Sequence, residues 1–210
     1  MQNWMIPGVA LALLCSGCAV GVKHQYDNQP PDLPVSSTET VEVGVLDQRP
    51  YVLDNHKSPA FVGVSRGGFS NPFDVETASG QPLATDMGAD IVSALRASGV
   101  KASQMVLAPS LKPADARQQL VKSGTDRSVL ITLLEWKSDT YQRVFLNYDV
   151  RLNVFNKEDQ SLAASQASGE DNLGDGGLDP PSHSRKVVPQ AFKKIMEGLF
   201  KDPKVVEALK

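Results

Sequence analysis

Residues 144–155 read VFLNYDVRLNVF, and this alternation constrains the fold more than any other stretch. Val144, Leu146, Tyr148, Val150, Leu152 and Val154 point one way, whereas Asn147, Asp149, Arg151 and Asn153 point the other. A period of two means a β-strand with one buried and one wet face. Just before it, SVLITLLEW (128–136) is almost continuously apolar, as in a strand covered on both faces. Asn156 to Asp159 forms a turn, and 161–168 is a partner strand poor in bulk.

Upstream, strands alternate with helices. Val41, Val43, Val45 and Leu46 predict a first strand that ends at Asp47, Arg49 and Pro50. Leu83, Met87, Ile91 and Leu95 recur every fourth residue between Pro82 and Gly99, a helix with one core face. A short strand at 104–108 leads to a helix over 113–122, with Leu120 and Val121 inward and Gly124 beyond its end. Val188, Phe192, Ile195, Met196 and Leu199 define a late amphipathic helix, followed by a short one opened by Asp202 and Pro203. The expected fold is therefore a single α+β domain with an α/β-like start. Its order is β-α-β-α-β-β-β-α, a mixed twisted sheet of about five strands with helices on one face.

The only cysteines are Cys15 and Cys18, in LLCSGCAV. A redox C-x-x-C sits after a strand and opens a helix, but only fourteen residues precede Cys15. A zinc site needs four ligands, and His24, His56 and His183 are scattered. Ile6 to Leu14 is apolar yet too short for a hydrocarbon core of about 30 Å, and it ends in Ser16-Gly17 immediately before Cys18. This resembles a bacterial lipoprotein signal with Cys18 as the acylated first residue of the mature chain. The alternative is an ordinary secretory signal with an incidental thiol. Ala19, rather than Asp, follows Cys18, which by the same resemblance implies the outer membrane, facing the periplasm. The organisation is then 1–17 signal peptide, 18–38 lipidated cysteine and Pro-rich tether, and 39–210 globular domain with a long insertion at 50–80. The tether would hold the domain clear of the bilayer.

The net charge is −3, and loss of 1–17 removes no charged side chain, so no basic surface for nucleic acid is implied. A thiol-free mature chain must be stable without disulfides, and roughly 190 residues suffice for a real core.

Three stretches could carry chemistry. Gly63-Val64-Ser65-Arg66-Gly67 matches the G-x-S-x-G nucleophile elbow, and Asp179 and His183 follow in hydrolase order. The elbow needs a helix directly after its serine, and Gly68-Phe69-Ser70-Asn71-Pro72 is a turn. The same glycines lack the Lys-Ser/Thr ending of a phosphate cradle. In 169–181, Glu170, Asp171, Asp175 and Asp179 fit no calcium-loop register, so a solvated, mobile connection is expected and no metal or cofactor is assigned. Arg185, Lys186, Lys193, Lys194 and Lys201 flank the apolar stripe of the late helix, which reads as a sheet cover with snorkelling lysines.

The insertion holds Tyr51, Phe61, Phe69 and Phe73, too aromatic for a disordered loop, so an ordered and partly hairpin segment is expected. Arg66, Phe69, Asn71 and Phe73 are candidates for a partner-binding surface; the other reading is that the phenylalanines cap the open end of the sheet.

The signal, tether and element order together resemble small envelope lipoproteins whose domain is similar to the amino-terminal domain of the translocation protein TolB, including the YajG-type and LpoB-type lipoproteins. The resemblance implies a non-enzymatic, membrane-anchored binding module for an envelope protein or a peptidoglycan-associated partner. Two alternatives remain: an LpoB-like activator of a peptidoglycan synthase, and a small serine esterase using Ser65.

Overall fold

One strand is shared by two sets of neighbours, and the architecture follows from it. The computed structural model describes residues 21–26 and 30–210. Along the chain it contains β1 (Lys23–His24), β2 (Thr40–Asp47), α1 (Pro50–Leu53), β3 (Phe61–Arg66), β4 (Pro72–Thr77), α2 (Leu83–Ala97), β5 (Lys101–Val106) and α3 (Pro113–Val121). It continues with β6 (Arg127–Thr140), β7 (Arg143–Asn156), β8 (Ser161–Asp175), α4 (Pro180–Phe200) and α5 (Pro203–Ala208). On one edge, β6 pairs in parallel first with β2, over Arg127 to Leu133, and then with β3, over Ser138 to Thr140. Its other edge is antiparallel to β7 throughout, with an irregularity between Leu133 and Glu135. Outward from these lie β5 beside β2, β4 beside β3, β1 beside β4, and β8 beside β7.

The α+β class and the mixed sheet are as expected. The strand count among the described residues is larger, eight instead of about five. Two extra strands come from the insertion, which folds into α1 and the β3–β4 hairpin, and the third comes from the N-terminal segment.

The first half of β6 is apolar on both faces because helices cover both. Val129, Ile131 and Leu133 join the main core with Leu83, Met87, Ile91 and Leu95 of α2, while Leu130 joins Leu46, Leu107, Ala116, Leu120 and Phe155 under α3. Helices on a single face were expected, and α3 departs from that. The reason is topological. From β2 the chain crosses outward to β5, then returns past β2 to β6; right-handed crossovers in opposite directions place their helices on opposite faces. Beyond the irregularity only one face is sheathed, by α4, whose Phe192 ring meets Trp136 edge-on, while α5 lies at the opposite end of the strand, where Arg127 Nε donates to Ala208 O at 2.8 Å.

The Pro-rich stretch is not a free tether over its whole length. Val22, His24, Tyr26, Leu33 and Val35 are buried. The Tyr26 hydroxyl accepts a 2.8 Å hydrogen bond from the Trp136 indole, and the Tyr26 ring meets Trp136 and Phe192 edge-on. Alternate apolar residues docked on the sheet outweigh the extended bias of the prolines. Residues 169–175, expected to be a mobile connection, form the second half of β8 and pair with β7 as far as Arg143. Among the described residues, no helix is long and apolar enough to cross a membrane.

Candidate functional site

The hairpin of the insertion carries the four residues singled out for partner binding, and the structure separates their roles. Gly67 N donates to Asn71 O at 2.9 Å and Ser70 N donates to Gly67 O at 2.8 Å, closing a tight turn in which Ser70 takes a positive φ of 62°. Arg66 is tied where the strands enter the turn: its Nε donates to Asp139 Oδ1 at 2.8 Å and its Nη2 to Oδ2 at 2.5 Å, a two-point link to β6. Asn71 and Phe73 lean on the small Gly67, where a Cβ would come within 2.9 Å of Asn71 Oδ1 and 3.1 Å of a Phe73 ring carbon. Phe69, at the tip, is 99% exposed. Arg66 and Phe73 are half-buried, whereas Asn71 and, most fully, Phe69 are exposed on the hairpin.

The G-x-S-x-G match resolves into packing. Gly63 has φ 155°, and a Cβ there would lie 2.5 Å from the Ser138 carbonyl oxygen, so close approach to β6 demands glycine. Ser65 lies within β3, opposite Phe73 and Thr140, fully buried, and a hairpin turn rather than a helix follows it. Its Oγ has no hydrogen-bond partner among the described residues. The Asp179 carboxylate accepts from Ser182 N at 3.0 Å and caps α4, and hydrogen bonding from the Ser182 side chain and then its N–H holds its pKa below the usual carboxylate range. His183 Nε2 lies 3.1 Å from Leu173 O. Asp179 and His183 are thus engaged elsewhere, and with Ser65 they form no hydrogen-bonded triad.

The acidic segment does not converge either. Glu170 and Asp171 are neighbours on β8 and so point to opposite faces, while Asp175 accepts from Gly177 N at 2.8 Å. Among the described residues, no group of three or more His, Cys, Asp or Glu is placed to hold a metal ion.

Sequence reasoning missed a buried charge cluster beside the hairpin. Arg49 is fully buried and its five guanidinium hydrogens all find acceptors: Asp47 Oδ1 and Oδ2 at 2.8 and 2.7 Å, Phe61 O at 2.6 Å, Pro59 O at 3.1 Å and Trp136 O at 3.4 Å. Tyr51 donates to Glu135 Oε1 at 2.7 Å; burial raises its pKa, Arg49 opposes the shift and Glu135 adds to it. With every guanidinium donor used, this cluster fastens the insertion to β2 and β6. A cleft of about 320 Å³ beside it is lined by Val45, Pro82, Ala84, Met105 and Leu107, and its one carboxylate, Asp47, is the one Arg49 occupies. The signal available in the sequence was D-x-R at a strand end followed by Pro50, read there as a mere strand stop.

His24 is also buried. Its Nε2 lies 3.3 Å from Ser184 Oγ, and its Nδ1 has no partner among the described residues. Burial, with the nearby Arg185 charge, lowers its pKa to about 3, so the ring is neutral. Cys18, the expected lipidation site, and the signal segment before it lie outside the described residues.

No family model matches this chain. No curated protein matches it in sequence. Among solved structures it is similar to protein XCC0632 from Xanthomonas campestris, described under the family model DUF330, at 14% identity with a TM-score of 0.50, covering 89% of this chain and 93% of that one. The likeness is one of fold. Looser overlaps are with a PelC dodecamer subunit from Paraburkholderia phytofirmans, at 11% identity and a TM-score of 0.37 over 80% of this chain and 92% of that one. Another is with lipoprotein GNA1162 from Neisseria meningitidis, at 13% and 0.29 over 77% and 99%. Overlaps at that level carry no argument about this chain.

Proposed function

We propose that this chain is a non-enzymatic accessory lipoprotein of the bacterial envelope, acylated at Cys18, anchored in the outer membrane and facing the periplasm, where it binds another envelope component. The observation that carries the reading is the apolar run Ile6 to Leu14 followed by Ser16-Gly17-Cys18. Two or three acyl chains on one residue give an essentially permanent anchor, since each buried CH₂ contributes about 0.8 kcal/mol. A binding rather than catalytic role is supported by the placement of the candidate groups: Ser65 sealed in a strand, Asp179 and His183 spent on local bonds, and Arg49 saturated.

Mass spectrometry of the purified native protein tests the anchor: the expected amino-terminal residue is Cys18 carrying acyl mass, and Cys18→Ser is expected to leave the membrane fraction. A native chain starting at Met1 without acyl mass would sink the reading. Density separation of membranes decides between outer and inner. Crosslinking in intact cells is expected to capture an envelope protein or a peptidoglycan-associated one. Fluorophosphonate labelling that disappears in Ser65→Ala would restore the esterase alternative.

A further inference from the structure

We infer that the end of the sheet bearing Phe69, Tyr141 and Leu178 rests against the bilayer that holds the Cys18 lipid, with these side chains in the headgroup region. The inference rests on the acylation proposed above and goes beyond it by giving the domain an orientation and a second contact with the membrane.

Among the described residues the large apolar side chains left exposed are Leu53, Phe69, Val106, Tyr141, Leu162 and Leu178, and the two most exposed are Leu178, at 107%, and Phe69, at 99%. Single exposed apolar residues are ordinary. Three on separate connections at one end of a sheet are a different matter. Because β3 runs parallel to the last part of β6, with Ser65 beside Thr140, the turn after Arg66 and the turn after Thr140 leave the sheet side by side. Gly176 N donates to Gln142 O at 2.9 Å, which ties the connection carrying Leu178 to the turn carrying Tyr141. Leu162, at the start of β8, lies at the far end.

The direction of the chain points to the same end. β1 is parallel to β4, with Lys23 beside Glu76 and His24 beside Thr77. Traced backwards from Lys23, it therefore heads towards Pro72 and the hairpin tip. Only Ala19 and Val20 separate Cys18 from Gly21, so the Cα of Cys18 is within about 11 Å of that of Gly21. A lipid held that close brings a bilayer to this end before any other occupant. The chemistry suits an interface: Tyr141 is amphipathic, Phe69 and Leu178 are apolar, and Arg143, Arg185 and Lys186 lie exposed nearby in sequence for anionic headgroups. Asp175 and Asp179, which flank Leu178, each accept a backbone N–H within their own connection.

The test uses the acylated full-length protein. With Cys18 modified and Cys15 lost with the signal, a single introduced cysteine is the only free thiol. Phe69→Cys, Leu178→Cys and, as the far-end control, Leu162→Cys are labelled with an environment-sensitive fluorophore. Each is reconstituted into phosphatidylethanolamine–phosphatidylglycerol vesicles, with and without brominated chains. The labels at 69 and 178 are expected to shift to the blue and to be quenched by brominated lipid, and the label at 162 to do neither. Protein that sediments with vesicles while all three labels stay water-like would overturn the orientation and leave the anchor standing. Equal shifts at all three positions, or shifts at 69 and 178 that arise before vesicles are added and grow with protein concentration, would also overturn it, the latter in favour of a second copy. Failure to sediment at all would bring down the anchor first.

Discussion

The two halves of β6 obey different rules. From Arg127 to Leu133 the strand is flanked by β2 and β7 and buried on both faces, with Val129, Ile131 and Leu133 in the main core and Leu130 in the cluster under α3. From Glu135 to Thr140 it is flanked by β3 and β7, covered on one face only, and its outward residues are Glu135, Lys137 and Asp139. The first half is a two-sided core with little surface to offer. The second is a one-sided core that ends in exposed turns. The contrast teaches that a two-sided core and a one-sided, partly exposed one can be built from different stretches of a single strand, joined at the point where Arg49 reaches Phe61 O and Trp136 O.

The most disruptive way to break that contrast is at the junction. Arg49→Ala leaves Asp47 buried without its partner and several carbonyls unsatisfied, and is expected to cost about 3–5 kcal/mol in urea unfolding. Loss confined to the second half would show as earlier amide exchange in β3 and β4 than in β2.

A smaller effect should come from pH, and it belongs to the one-sided half. The folded-state pKa of His24 is about 3 against an ordinary 6.5, so between those values the unfolded chain takes up a proton that the folded chain does not. Stability from this group is therefore full above about pH 6.5 and declines as pH falls, by at most about 1.4 kcal/mol per pH unit. The urea midpoint of the wild type should drop between pH 7 and pH 5, and that of His24→Gln should drop less. An equal drop in both would remove His24 from the account.

The smallest effect is expected at the tips. Phe69→Ser and Leu178→Ser should leave the unfolding midpoint within about 0.5 kcal/mol of wild type, because these side chains bury nothing within the domain. A larger loss would mean that the tips support the fold, and the distinction between the halves would blur.

What was legible in the sequence was whatever periodicity encodes locally. Residues 144–155 alternate because β7 has one wet face, and Leu83, Met87, Ile91 and Leu95 repeat because α2 has one buried stripe, and both formed where expected. What was not legible depends on neighbours distant in the chain. The docking of Val22, His24 and Tyr26 needs the groove made by β4, α4 and Trp136, which no window around residue 24 contains. The side taken by α3 is fixed by where β5 lies relative to β2, not by Leu120 and Val121. Residues 169–175 read as loop because an outermost strand packs little on its outer side and so needs little bulk. Of the candidate surface, the hairpin was foreseeable from its aromatics. That Phe69 projects furthest while Arg66 is held by Asp139 and Phe73 lies half-buried against Gly67 depends on Asp139 and Gly67.

β8 has one further consequence. It is fifteen residues long and outermost, with one row of peptide groups unpaired by any neighbour in the sheet, a natural template for sticking to another molecule. Proteins confined to a surface meet one another far more often than the same number in free solution. Leu162 is the only large apolar side chain that this strand leaves exposed; the rest of its exposed residues are Ala, Ser, Gln, Gly, Glu, Asp and Asn, side chains that reward edge-to-edge adhesion poorly and let neighbours slide past.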